Sequence, residues 1–150
     1  GHTFDMVGLR TPDGVVFLAD CLTSRETLAK YHIGFLYDVA AYLDTLNAVM
    51  SMTAPLFIPA HAEATADIAP LAQYNIEMVR EIGDRICEIL SSPLSFDALL
   101  QKIFASYGLT MTFEQHALVG STVRSYLTWL KEAGRVQAQI SDNLLLWARV

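Results

Sequence analysis

Cysteine is scarce in this chain of 150 residues: Cys21 and Cys87 are the only two. They make no disulfide framework, and free thiols in a reducing cytoplasm are the simplest reading. Uninterrupted apolar runs of the about 20 residues that span a bilayer are missing too. The greasiest stretch, Phe35 to Met52, is broken by Asp38, Asp44 and Asn47, so no membrane partner is expected. There is no basic start leading into an apolar segment, and no secretory leader is expected in these residues. Basic excess is also lacking, with 10 Lys and Arg against 16 Asp and Glu and a net charge of −6. Residues 1–70 hold three cations against eight anions, and residues 71–150 hold seven against eight. Phosphate neutralisation supplies most nucleic-acid affinity, so neither half has the composition of a strong nucleic-acid binder. The acidic first half suits a site that takes cations. A hydrophobic share of 53% provides ample core and excludes disorder.

What is present begins with three short apolar runs. Met6 to Arg10 and Val15 to Ala19 flank Thr11-Pro12-Asp13-Gly14, which is turn chemistry, so a hairpin is expected. Leu56 to Pro59 reads as a third, short strand bracketed by prolines, suited to an edge. His2 lies just before the first strand, and Asp20 and His61 just after the other two. Loops at strand ends let side chains converge while the sheet holds them. Imidazole and carboxylate suit zinc and similar divalent ions. Taken alone, solvated loop polars are the simpler reading of the three.

Order and context add to this. Gly1-His2-Thr3, then Asp13-Gly14-Val15-Val16-Phe17-Leu18-Ala19-Asp20, then Ile58-Pro59-Ala60-His61 resembles the second half of a metallo-β-lactamase superfamily hydrolase. The resemblance implies that His2 binds a first metal, His61 a second, and that Asp20 bridges the two, with zinc the expected ion. It covers residues 1 to about 65. The family's H-x-H-x-D-H motif is not in this chain, and neither His32 nor His116 has a partner histidine two residues away. The expectation is therefore the C-terminal part of a longer hydrolase acting on an ester, thioester or phosphodiester. The isolated chain is expected to be inactive. Its partner would be the missing N-terminal half, and the uncovered surface of residues 1–60 is a route to self-association.

Thr23-Ser24-Arg25-Glu26 reads as a helix start, ending near Lys30. Leu36, Val39, Leu43, Leu46 and Met50 form one helical stripe. Glu63, two residues past His61, is placed to orient an imidazole or to face solvent. Cys21 reads as a small buried thiol, and Tyr37 and Tyr42 as packing residues.

Small residues and Pro70 mark a boundary near residues 65–70, giving domains 1–68 and 69–150. From Leu71 a long helix carries Ile76, Val79 and Ile86 on one face, and ends at Ser91-Ser92-Pro93. Ser95 caps a second helix stopped by Gly108. Thr112 and Gln115 form a capping box for a third, which runs to Gly134 with Val119, Val123, Leu127 and Leu130 inside. Alternating Val136, Ala138 and Ile140, a turn at Ser141-Asp142-Asn143, and Leu144, Leu146 and Ala148 make a hairpin. Three helices and a hairpin describe a winged helix, and Val123 to Val136 is similar to the winged-helix tail of one branch of these hydrolases. The fold class expected is thus α/β (α+β): the C-terminal half of an αββα sandwich followed by a winged-helix domain. Arg124, Lys131 and Arg135 are the candidate nucleic-acid contacts. The hairpin loop Gln137 to Asn143 carries no cation, so packing or self-association is the favoured role, with nucleic-acid binding as the alternative.

Overall fold

The turn Thr11–Gly14 organises the first sheet. Gly14 takes φ +90, where a side chain is strained, and the turn closes with Gly14 N–H donating to Thr11 O and Thr11 N–H to Val15 O. The Thr11 hydroxyl donates to the Asp13 carboxylate and holds that carboxyl below its usual range. This turn joins β1 (Leu9–Arg10) to β2 (Val16–Thr23), and β3 (Phe57–His61) lies parallel to β2 on its other side. Pro59 sits in the edge strand, where its missing N–H costs no ladder bond.

The structure is a computed structural model describing all residues, Gly1–Val150, and it is a mixed α/β chain of five helices and two three-stranded sheets. It divides into two compact units, Gly1–Val79 and Arg80–Val150, with the division falling inside one helix.

In the first unit, Ser24 caps α1 (Arg25–Tyr31) by accepting from Thr27 N–H, and Asp38 caps α2 (Val39–Met50) by accepting from Ala41 N–H. The α2 stripe is rotated from the expected one. Val39, Tyr42, Leu46 and Val49 are buried, while Leu43 and Met50 are only half-buried. The physical reason is Tyr42, whose ring fills the core while its hydroxyl reaches Asn75 at 3.3 Å. Burial pushes the Tyr42 hydroxyl pKa upward, so it remains a hydrogen-bond donor. Of the two tyrosines read as packing residues, Tyr42 packs and Tyr37 is exposed.

The strands also differ from their expected bounds. β1 is shorter, and β2 runs on past Ala19 to Thr23, so Asp20 lies within a strand rather than after it. β3 starts one residue later than Leu56 and runs past Pro59 to include His61 as its last residue.

The long helix α3 (Ala69–Ile89) passes from the first unit to the second. In the second unit follow β4 (Leu94–Ser95), α4 (Phe96–Ser106), α5 (Phe113–Glu132), β5 (Val136–Ser141) and β6 (Leu144–Arg149). The sheet order is β4-β6-β5, all antiparallel. Asp142 and Asn143 both take positive φ, as a two-residue hairpin turn requires. β4 is not legible in the sequence, because two residues carry no periodicity. Leu99, Leu100, Ile103, Val123, Leu127 and Leu130 form the centre of this unit's core. No helix is long and apolar enough to cross a membrane.

Candidate functional site

β2 does not keep a regular pairing with β3. The register shifts between Phe17 and Ala19 and again between Ala19 and Thr23. Ala19 takes φ 47, a left-handed conformation that costs a residue with a Cβ roughly 1–2 kcal/mol. Such a bulge re-aims side chains. Val16 and Leu18 face the core with Phe17 outside, and after the bulge Cys21 and Leu22 are both buried. Asp20 is left half-exposed beside it. Ala19→Gly is expected to relieve the strain and stabilise the chain by about 0.5–1 kcal/mol after the added unfolded-state entropy. Ala19→Val should instead destabilise it by more than about 1 kcal/mol. Urea denaturation of both variants checks this; a less stable glycine variant would contradict the account.

His2 reaches the site from the N-terminal segment. The Gly1 carbonyl accepts from Tyr37 and Asp38 N–H, laying this segment on the start of α2. A Cβ at Gly1 would stand 2.0 Å from the Tyr42 backbone nitrogen, so only glycine allows the approach. The His2 ring meets Phe35 edge-on at 5.7 Å. His61 is held through its backbone, its carbonyl accepting from Ser24 N–H at 2.9 Å.

The three residues predicted as ligands converge on one carboxylate. His2 Nε2 lies 3.9 Å from Asp20 Oδ2, and His61 Nε2 lies 3.4 Å from Asp20 Oδ1. These separations exceed the roughly 2.7–2.9 Å of a charge-assisted hydrogen bond. They compare with the about 3.4 Å between donors arranged tetrahedrally around a cation at about 2.1 Å. Each imidazole faces a different oxygen. The convergence is pairwise, and no group of three or more His, Cys, Asp or Glu side chains is arranged to hold one metal ion. The donor chemistry fits a divalent metal, while the donor number per ion falls short of the three or four that zinc takes.

Asn75 was not legible as a site residue. It is 2% exposed on α3. Its Oδ1 accepts from Thr23 N–H and Tyr42 O–H, and its Nδ2 donates to the carbonyls of Thr23 and Leu71 at 2.9 Å each. It clamps the end of β2 three residues past Asp20, next to the Ser24 that holds His61. The one available signal was a lone amide in the apolar α3 stripe.

Cys21 is buried, and burial pushes its thiol up to about 11, so it stays protonated at neutral pH. Glu63 is exposed and lines a hollow of about 490 Å³ beside His61, with Ser24, Arg25 and Asp67. Arg25 lies over the Tyr74 ring at 4.1 Å. His32 caps the end of α1, away from any helix interior.

Of the second-unit candidates, Arg124 stacks on Phe96 at 3.5 Å and Arg135 pairs with Asp84 at 2.8 Å. Lys131 is exposed in the last turn of α5. Trp129 meets Tyr126 edge-on and lies where a Cβ at Gly83 would be 2.8 Å from its ring.

This fold is that of metallo-β-lactamase family structures. The chain matches a beta-lactamase domain protein from Burkholderia ambifaria over 100% of its length at 20% identity and a TM-score of 0.73. It matches a metallo-beta-lactamase family protein from Thermus thermophilus over 100% at 15% identity and a TM-score of 0.75. It spans about half of each, 45% and 47%. No protein-family model and no curated protein matches the sequence.

Proposed function

We propose that this chain is the C-terminal part of a metal-dependent hydrolase, in which His2, Asp20 and His61 supply part of a two-metal centre. The observation that carries this reading is the division of Asp20 between two imidazoles, one per carboxylate oxygen. His2 would hold one ion, His61 the other, and Asp20 would bridge them, with zinc the ion best suited to the donors. A divalent cation bound there supplies a Lewis acid and lowers the pKa of a bound water. Around it, the Ala19 bulge aims Asp20, Asn75 anchors the strand, and Ser24 fixes the backbone of His61. The substrate class is an ester, thioester or phosphodiester.

The remaining ligands would come from the missing half of the domain. The surface meant for that half is apolar: Leu9 and Phe17 face each other across β1 and β2, and both are exposed along with Phe4 and Val7. In the chain alone the same surface favours self-association through residues 1–60. The domain limits proposed are 1–68 and 69–150, at the start of α3 (Ala69) and ahead of the division of the compact units between Val79 and Arg80. The α3-β4-α4-α5-β5-β6 order supports a winged helix for the second domain. With Arg124 and Arg135 engaged inside the unit, its role is packing or assembly rather than nucleic-acid binding. The free thiols Cys21 and Cys87 suit the cytoplasm.

Calorimetric titration of the chain with zinc chloride tests the ligand arithmetic. Binding weaker than micromolar and no hydrolysis of thioester, phosphodiester or β-lactam probes are expected. Submicromolar binding lost on His61→Ala would show that the centre is complete without a second half.

A further inference from the structure

We propose that the free edge of β5 pairs antiparallel with the β5 of a second copy of this chain, extending the sheet across a two-fold axis. The order β4-β6-β5 leaves β5 bonded on one side only. Ser141 and Leu144 flank the two-residue turn and form the hydrogen-bonded pair next to it, and pairing then alternates along the ladder. Gln137 and Gln139 therefore bond inward to β6, while Ala138 and Ile140, both exposed, turn their N–H and C=O groups to the open edge. Val150 N–H donates to Arg135 O, in keeping with this phase.

Natural edge strands are guarded by lysine, proline, bulges or inward charges. Val136 to Ser141 has none of these: no charged residue, no proline and an unbroken register. Gln137 to Ser141 are all exposed, so nothing in the chain covers either face. Ile140, 70% exposed, and Leu145, 44% exposed, sit opposite each other on the face that also carries Ala138.

A second copy is the occupant that fits. An antiparallel strand pair about a two-fold axis uses the same strand on both sides, so one surface is complementary to itself. The neutral strand meets its copy without repulsion, although the chain carries −6 overall. The antiparallel alignment also brings the Arg135 end of each strand to the Asp142 end of the other. Ile140 of each copy then lies beside Ala138 of its mate, removing exposed apolar surface from water.

Sedimentation equilibrium of the chain at tens of micromolar is expected to show a dimer. Ala138→Pro removes an N–H that only the second copy uses, so it should raise the dissociation constant by at least about tenfold with the far-UV spectrum unchanged. Ala138→Lys and Ala138→Glu are each expected to lose the association made through β5 when alone and to regain it when combined. A monomeric parent chain overturns the proposal. So does a dimer that survives Ala138→Pro in a folded protein, the result expected if association runs only through residues 1–60. If the proline variant does not fold, failure of the lysine and glutamate variants to associate when mixed overturns it.

Discussion

Asn75→Asp is expected to destabilise the chain by about 3–5 kcal/mol, the largest effect of any single substitution near the site. Asn75 uses its full hydrogen-bonding capacity: two donors to carbonyls and one oxygen accepting twice. Aspartate has nearly the same shape. As a carboxylate, however, it turns one acceptor oxygen toward both the Thr23 and Leu71 carbonyls, in a site where the native side chain is 2% exposed. Two carbonyls lose their donor and a charge is buried without a cation. Protonation restores one donor, so the penalty should shrink at acid pH and grow as pH rises through the variant carboxyl's raised pKa. Thermal unfolding at neutral pH should fall by roughly 10 °C or more. A loss below about 1 kcal/mol would mean that the end of β2 is held by other contacts.

Asp20→Asn should abolish the joint response of His2 and His61 to a divalent metal while leaving the fold intact. The side chain is 43% exposed, so removing its charge leaves no buried group unsatisfied. Asparagine preserves the shape and one carbonyl oxygen but removes the charge that both imidazoles face at 3.4 and 3.9 Å. Groups that merely orient metal ligands change affinity by about 10–100-fold, so loss of a bridging carboxylate should exceed about 100-fold. The thermal transition is expected to stay within a few degrees of the parent. A variant that binds zinc as well as the parent would remove Asp20 from the centre.

The ligand candidates were legible because each is a polar residue of the right type at or near the end of an apolar run, and strands bring such ends together. Their geometry was not legible. Asp20 faces His2 and His61 because the chain bulges at Ala19, and alanine gives no sign in sequence that it will take φ 47. Gly1 did carry information, since its close approach to Tyr42 is a requirement for no side chain. Apart from β4, the elements of the second unit were readable from its caps and turns: Ser95, Gly108, Thr112 and Asp142-Asn143. The misplaced α2 stripe and the overlooked Asn75 have one cause. Tyr42 and Asn75 satisfy each other across 33 residues of sequence, and local periodicity contains nothing of that bond.

The most direct test of the proposed centre is a zinc titration of the ¹⁵N-labelled chain, followed at the imidazole nitrogens of all four histidines. The account predicts weak binding in which His2 and His61 shift together, His32 and His116 stay still, and Asp20→Asn removes the response. Shifts at His32 or His116 instead, or none at His2 and His61 at millimolar zinc, would contradict it.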